Sequence, residues 1–174
     1  MDIIIRQVMP EDLDAVARVE AVCFPEAEAA SRASFERRIE TFPESFFVAE
    51  KGGEIVGCIN GCVTDERVIC DEMFEDSGYH KPDGTYQSIF GLGVVPQLRR
   101  QGLAKRLMEH LIADARSKGR KGLILTCKDR LIPYYEKFGY RNLGVSGSVH
   151  GGAVWYDMIL EFDSSPLGKK ESEG

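Results

Sequence analysis

At 174 residues, 43% hydrophobic and 29% charged, the chain has enough apolar material for one domain with a sizeable core and lacks a disordered composition. Its formal net charge of −6 argues against nucleic acid or an anionic membrane as the main partner. The start, Met1-Asp2-Ile3-Ile4-Ile5-Arg6, holds too short an apolar stretch for a signal peptide, and no run reaches membrane-spanning length, so a cytoplasmic location is expected.

Ile3 to Val8 reads as a first strand, and Pro10-Glu11-Asp12 opens a helix carrying Leu13, Val16, Ala17 and Val19 to about Cys23, where Pro25 stops it. An alanine-rich stretch, Glu26 to Ser31, follows without strong periodicity. Ser31 or Ser34 caps a second helix bearing Phe35, Ile39 and Phe42. Phe46 to Glu50 and Glu54 to Val63 form a hairpin around Lys51-Gly52-Gly53. Gly57 and Gly61 inside the second strand point to a bulge or to close approach by another backbone. Thr64 to Thr85 is a long acidic insertion whose apolar pairs, Val68-Ile69 and Met73-Phe74, imply that it packs on something.

Tyr86 to Val95 is the next strand. After it come the basic turn Arg99-Arg100-Gln101-Gly102-Leu103-Ala104 and an amphipathic helix with Leu107, Met108, Leu111 and Ala115 on one side, closed by Lys118-Gly119. Leu123 to Thr126 is a continuously apolar, buried strand. Leu131 to Phe138 is a short helix ended by Gly139, Tyr140 to Val145 another strand, and Trp155 to Phe162 the last. Between those two lies the small-residue loop Ser146 to Gly152, read as flexible. Residues 1–162 are expected to form one domain and 163–174 a polar, frayed tail.

The five cysteines are odd in number and show no C-x-x-C spacing, so they are expected as reduced, mostly buried thiols. The three histidines make no ligand pattern with them, and no metal is expected. Chemistry concentrates instead where the strand ends at Val94-Val95. A strand end, a glycine turn and a helix N-terminus together offer unpaired amides and the positive end of a helix dipole. Arg99 and Arg100 add charge there. The turn therefore reads as an anion cradle inside an acidic chain.

Arg99-x-x-Gly102-x-Ala104 after Val94-Val95-Pro96 resembles the acetyl-CoA signature of the GNAT superfamily of N-acetyltransferases. Ile132-Pro133-Tyr134-Tyr135-Glu136-Lys137-Phe138-Gly139-Tyr140 resembles its second signature, a tyrosine helix ending in F-G-F/Y. Leu125-Thr126-Cys127-Lys128-Asp129 and Phe42-Pro43-Glu44-Ser45 are similar to the arylalkylamine (serotonin) N-acetyltransferase-like branch. The segment from Gly144 to Gly152 with Trp155-Tyr156-Asp157-Met158 resembles the bacterial members of that branch.

The resemblance implies a mixed α/β GNAT fold: about seven mostly antiparallel strands, flanked by about four helices and splayed at the acetyl-CoA site. It implies that amides of Arg99, Arg100, Gln101, Gly102, Leu103 and Ala104 hold the CoA pyrophosphate, that Leu92 and Val94 pair with pantetheine, and that Tyr135 protonates the leaving thiolate. Two histidines serve as a proton path in the vertebrate serotonin enzyme, and Ser88 and Phe90 stand at those positions. Asp71, Glu72, Glu66 and His150 are then the candidate bases, with Phe74, Phe90 and Trp155 as apolar walls. The expected reaction is direct acetyl transfer from acetyl-CoA to a small-molecule amine: an arylalkylamine, a polyamine or an amino acid. The alternatives are a non-catalytic acetyl-CoA sensor and acetylation of a peptide N-terminus or lysine. A homodimer is left open.

Overall fold

The computed structural model describes residues 2–162, so the polar tail expected at 163–174 lies outside the described residues. Five α-helices and nine strands alternate in the order β1 (Ile3–Gln7), α1 (Leu13–Cys23), α2 (Arg32–Thr41), β2 (Phe46–Lys51), β3 (Glu54–Asn60), β4 (Val63–Thr64), α3 (Asp71–Glu75), β5 (Tyr86–Ile89), β6 (Gly91–Val94), α4 (Leu103–Ser117), β7 (Gly122–Cys127), α5 (Ile132–Glu136), β8 (Arg141–Val145) and β9 (Tyr156–Glu161).

The boundaries follow local chemistry. A 3-10 turn, Pro10–Asp12, leads into α1, and the Asp12 carboxylate accepts from the Met9 N–H at 2.8 Å. Arg6 holds that carboxylate from β1 at 2.8 and 3.0 Å. The helix ends at Phe24, whose extended backbone is what a following proline imposes. Ser31, not Ser34, caps α2 by accepting from the Ser34 N–H. Gly102 (φ 81°) begins α4 and Gly119 (φ 78°) follows its end, both in the left-handed region that favours glycine.

The strands form two sheets, ordered β1-β2-β3-β6 and β4-β5-β7-β9-β8, in which only β5 and β7 pair in parallel. Alternation along β2 and β3 divides the core. Phe47, Ala49 and Ile59 face Leu103, Leu107, Met108 and Leu111 of α4. Phe46, Val48 and Cys58 face Val16 and Val19 of α1 and Phe35 and Ile39 of α2. Each such buried leucine or phenylalanine contributes about 1.5–3 kcal/mol. A third cluster packs Phe42 against Tyr86, Ile124 and Ile159 together with Ile69 and Met73, so the acidic insertion does pack on the body of the protein and carries α3.

Two expected strands are each broken in the middle, which raises the count from about seven to nine. The stretch 54–63 divides at Gly61 and the stretch 86–95 at Phe90. A Cβ on Gly61 would stand 2.0 Å from the Ser88 carbonyl oxygen, so glycine is required for the two backbones to pass. Past this crossing the chain changes sheets. Pairing of β5 with β7 stops at Ile89↔Leu125, and from Gly91 onward β6 pairs with β3 alone. The helices on both faces and this divergence of β6 from β7 are the splayed mixed α/β arrangement expected of the chain.

Candidate functional site

The gap between β6 and β7 exposes a line of backbone groups. The Val95 N–H donates to the Val56 carbonyl at 3.0 Å. Antiparallel alternation from that bond, in the register Ile59↔Leu92 and Gly57↔Val94, turns the N–H and C=O groups of Leu92 and Val94 away from β3 and towards the gap. Val94 keeps its N–H free there. Its carbonyl accepts from Arg99 Nε at 2.9 Å and from the Cys23 thiol at 3.3 Å.

Below the gap, the chain turns through Pro96–Leu98 into the basic segment. Arg100 (φ 65°) and Gly102 (φ 81°) are both left-handed, alternating with ordinary residues, which folds successive N–H groups into a concave nest. Among the described residues, no backbone acceptor takes the N–H of Arg100, Gln101 or Gly102. Those of Leu103 and Ala104 start α4, where donors lack intrahelical partners. No other atom lies within 4 Å of a Cβ built on Gly102, so this face of the turn is open. Arg99 is a correction to the expected set of amides: its N–H donates to the Pro96 carbonyl at 3.3 Å and its side chain is spent on bracing Val94, while the Gln101 side chain folds towards the Gln97 carbonyl at 3.5 Å. The anion site is thus built mainly from backbone.

Above the gap lies a cavity of about 430 Å³, lined from both of its edges by Leu92 and by Leu125 to Lys128. Tyr135 of α5 stands in its wall, edge-on to Tyr134 and Tyr140, and no hydrogen bond within the described residues engages its hydroxyl. Burial pushes this phenol well above its usual range, so it remains protonated at any working pH. Phe24, Phe74, Phe90 and Trp155 supply aromatic walls. The Phe74 ring packs against Phe90 at 4.8 Å with a 38° tilt and stacks nearly parallel on His150 at 5.2 Å.

Of the candidate bases, only His150 lines the cavity. Its Nε2 lies 2.9 Å from the Glu28 carbonyl, so a neutral ring carries its proton there. The loop read as flexible is therefore seated against the 24–30 segment, and Trp155 Nε1 donates to the His150 carbonyl at 2.8 Å. Asp71 does not reach the cavity. Its carboxylate receives the Ser148 hydroxyl and, at 3.0 Å, the Val149 N–H, which makes it the anchor of that loop. Glu72 and Glu66 are exposed and do not line it. Ser88 is a correction. Its side chain is fully buried and donates to the Cys62 carbonyl at 2.8 Å, whereas Phe90, past the break that ends β5, lines the cavity.

Two buried charged residues in the cavity wall were not singled out from the sequence. Glu20, on α1, is 8% exposed. Its Oε2 accepts from the Ala30 N–H at 2.9 Å, and burial raises its carboxyl above the ordinary range despite that bond. Arg38, on α2, is 5% exposed. It donates to Asn60 Oδ1 at 3.0 Å and to the Phe74 carbonyl at 3.1 Å, leaves Nε without a partner, and lies over the Phe90 ring at 4.9 Å. Burial pulls its guanidinium down to about 10, against the attraction of Glu20. The sequence did carry a signal for both. Each interrupts an otherwise apolar helical stripe: Leu13, Val16, Glu20 and Cys23 in one case, Phe35, Arg38, Ile39 and Phe42 in the other.

The profile of the Acetyltransferase (GNAT) family matches residues 13–140, from α1 through the tyrosine helix and including the nest, the gap and Tyr135. The chain belongs to the GNAT family. It is 32% identical over 145 residues to a probable hydrolase, YhcX, of Bacillus subtilis (strain 168), covering 78% of this chain and 27% of that protein. It is 27% identical over 110 residues to the serotonin N-acetyltransferase of Mesocricetus auratus, covering 61% of this chain and 50% of that enzyme. The chain thus spans between about a quarter and a half of these relatives' lengths. Among solved structures, the GNAT-like decarboxylase GphF in complex with isobutyryl-CoA superposes with a TM-score of 0.80 at 24% identity, covering 91% of this chain and 98% of that one, a likeness of fold. Among the described residues no helix of this GNAT protein is long and apolar enough to cross a membrane.

Proposed function

We propose that this GNAT acetyltransferase moves an acetyl group from acetyl-CoA directly to the primary amine of a small molecule with an aromatic body. One observation carries the reading: the gap with free backbone groups runs into a cavity that combines aromatic walls with buried carboxylate. Pantetheine is extended and amide-rich, so it can pair with Leu92 and Val94 as an added strand. The amides from Arg100 to Ala104 take the pyrophosphate at the head of α4. Phe74, Phe90 and Trp155 suit an aryl group. The hamster relative's name, a serotonin N-acetyltransferase, points to the same class of acceptor.

In this scheme the amine attacks the thioester carbonyl, whose developing oxyanion is met by the Leu92 N–H. The C–S bond breaks and Tyr135, held protonated, donates to the leaving thiolate. The test is thiol release from acetyl-CoA with a panel of an arylalkylamine, a polyamine, an amino acid and a peptide with a free N-terminus. The arylalkylamine is expected to have the highest kcat/KM. Fastest turnover of the peptide moves the acceptor to protein termini, and CoA binding with no thiol release from any amine makes the protein a sensor.

A further inference from the structure

An alkylamine with a pKa of about 10 arrives as its ammonium, so transfer needs a group in the cavity that removes a proton. Of the candidates there, Glu75 is exposed to solvent and most others are engaged elsewhere. Glu28 is paired with Lys128 at 2.7 Å. His150 commits Nε2 to the Glu28 carbonyl, and the Cys23 thiol donates to Val94. The Cys127 thiol is pushed up to about 11 by burial.

Glu20 differs. Only its Oε2 is held, by Ala30. Oε1 has no hydrogen-bond partner among the described residues and lies 3.6 Å from the position a Cβ would take on Gly91, where β6 begins. Gly91 has no side chain to fill the space between that oxygen and the strand edge. The next residue, Leu92, is the one whose N–H faces the gap. The free oxygen and the thioester position are thereby brought to opposite sides of one small space.

Building on the N-acetyl transfer reading, we propose that Glu20 is the proton acceptor of the reaction, its Oε1 taking a proton from the acceptor ammonium held against Gly91 and Leu92. The freed nitrogen forms the N–C bond, the C–S bond breaks, and the thiolate takes its proton from Tyr135. The nitrogen gives up its second proton to solvent as the amide forms, and a solvent proton restores Tyr135. Glu20 returns its proton to solvent, so one proton is released per turnover. The charged and titratable groups around Glu20 are Arg38 on α2, His150 on the 146–152 loop, Cys23 on its own helix and Cys58 on β3. A carboxyl raised by burial suits the task, because it ionises closer to working pH and holds a proton better than an exposed glutamate.

The decisive variant is Glu20→Gln, whose amide oxygen can still accept from Ala30. Its kcat with the best amine should fall by about 100-fold or more, with KM for acetyl-CoA within about threefold. The acid limb of kcat/KM should disappear in Glu20→Gln and persist in His150→Asn, and Glu20→Asp should recover part of the rate. Its melting temperature at pH 7 should equal or exceed that of the parent. Unchanged kcat, an acid limb lost only in His150→Asn, or a variant that fails to fold would overturn the assignment, the last by making Glu20 an anchor for Ala30. Absence of turnover in the parent protein with every amine removes the transfer reading and this one with it. Parent turnover with an unaffected Glu20→Gln removes this one alone.

Discussion

The nest at Arg100 to Ala104 and the cavity around Glu20 lie on either side of one gap and are built in opposite ways. The nest is a contiguous run of backbone, exposed from Arg100 to Gly102 and shaped by two left-handed residues. The cavity is made of side chains from α1, α2, the β5–β6 break, the β7 end and the 146–152 loop, with two opposite charges buried in it. Backbone donors are present whatever the side chains are, so the nest should tolerate most substitutions that keep its φ angles. The cavity has no such tolerance. Its charges are held in low-dielectric surroundings at a cost to folding, and each wall depends on a partner distant in sequence.

The largest expected effect tests the backbone side. Gly102→Val puts a β-branched residue at φ 81°, at a strain on the order of 1–3 kcal/mol, and fills the open face of the turn. Calorimetric CoA affinity should drop by more than about 100-fold, whereas normal binding would end the nest's role. Tyr135→Phe should lower kcat by about 100-fold while leaving CoA affinity in place, and equal turnover at every pH would release Tyr135 from its donor role. Asp71→Ala removes two of the bonds that seat the 146–152 loop and leaves the one from His150 to the Glu28 carbonyl. It should reduce kcat/KM for the amine by about tenfold and leave KM for acetyl-CoA alone, since only the cavity side depends on that loop.

The smallest effect is thermodynamic. A carboxyl raised in the folded state favours folding below its ordinary range, near ~4.3, and loses that contribution as pH rises through its folded value. Glu20→Gln has no such loss. Melting temperatures of the two proteins should therefore separate progressively from acid to neutral pH, with the variant the more stable at pH 7. A constant difference across that range would mean that Glu20 does not titrate in this window.

The same contrast explains what could be read in the chain beforehand. The α4 helix, its glycine boundaries and the tyrosine helix are written in contiguous residues, and so is the nest. The breaks at Gly61 and Phe90 left almost no trace, because both halves of each strand stay apolar and only the glycine spacing hinted at a crossing. Ser88 was named only through the family resemblance, and the break at Phe90 is what separates the two positions: Ser88 donates to the Cys62 carbonyl while Phe90 lines the cavity. Glu20 was passed over as one of many acids. Its partners Ala30 and Gly91 are brought to it by the turn after α1 and by the sheet, and no local pattern reports either.

Leu92 and the Leu125 to Lys128 segment stand on opposite edges of the gap, and both also line the cavity. An arm lying between β6 and β7 would thus form part of the wall against which the amine rests. In kinetic terms the proposed acceptor site would be completed only by the first substrate, so binding should be sequential with the CoA thioester leading. Product inhibition should then show CoA competing with acetyl-CoA and not with the amine.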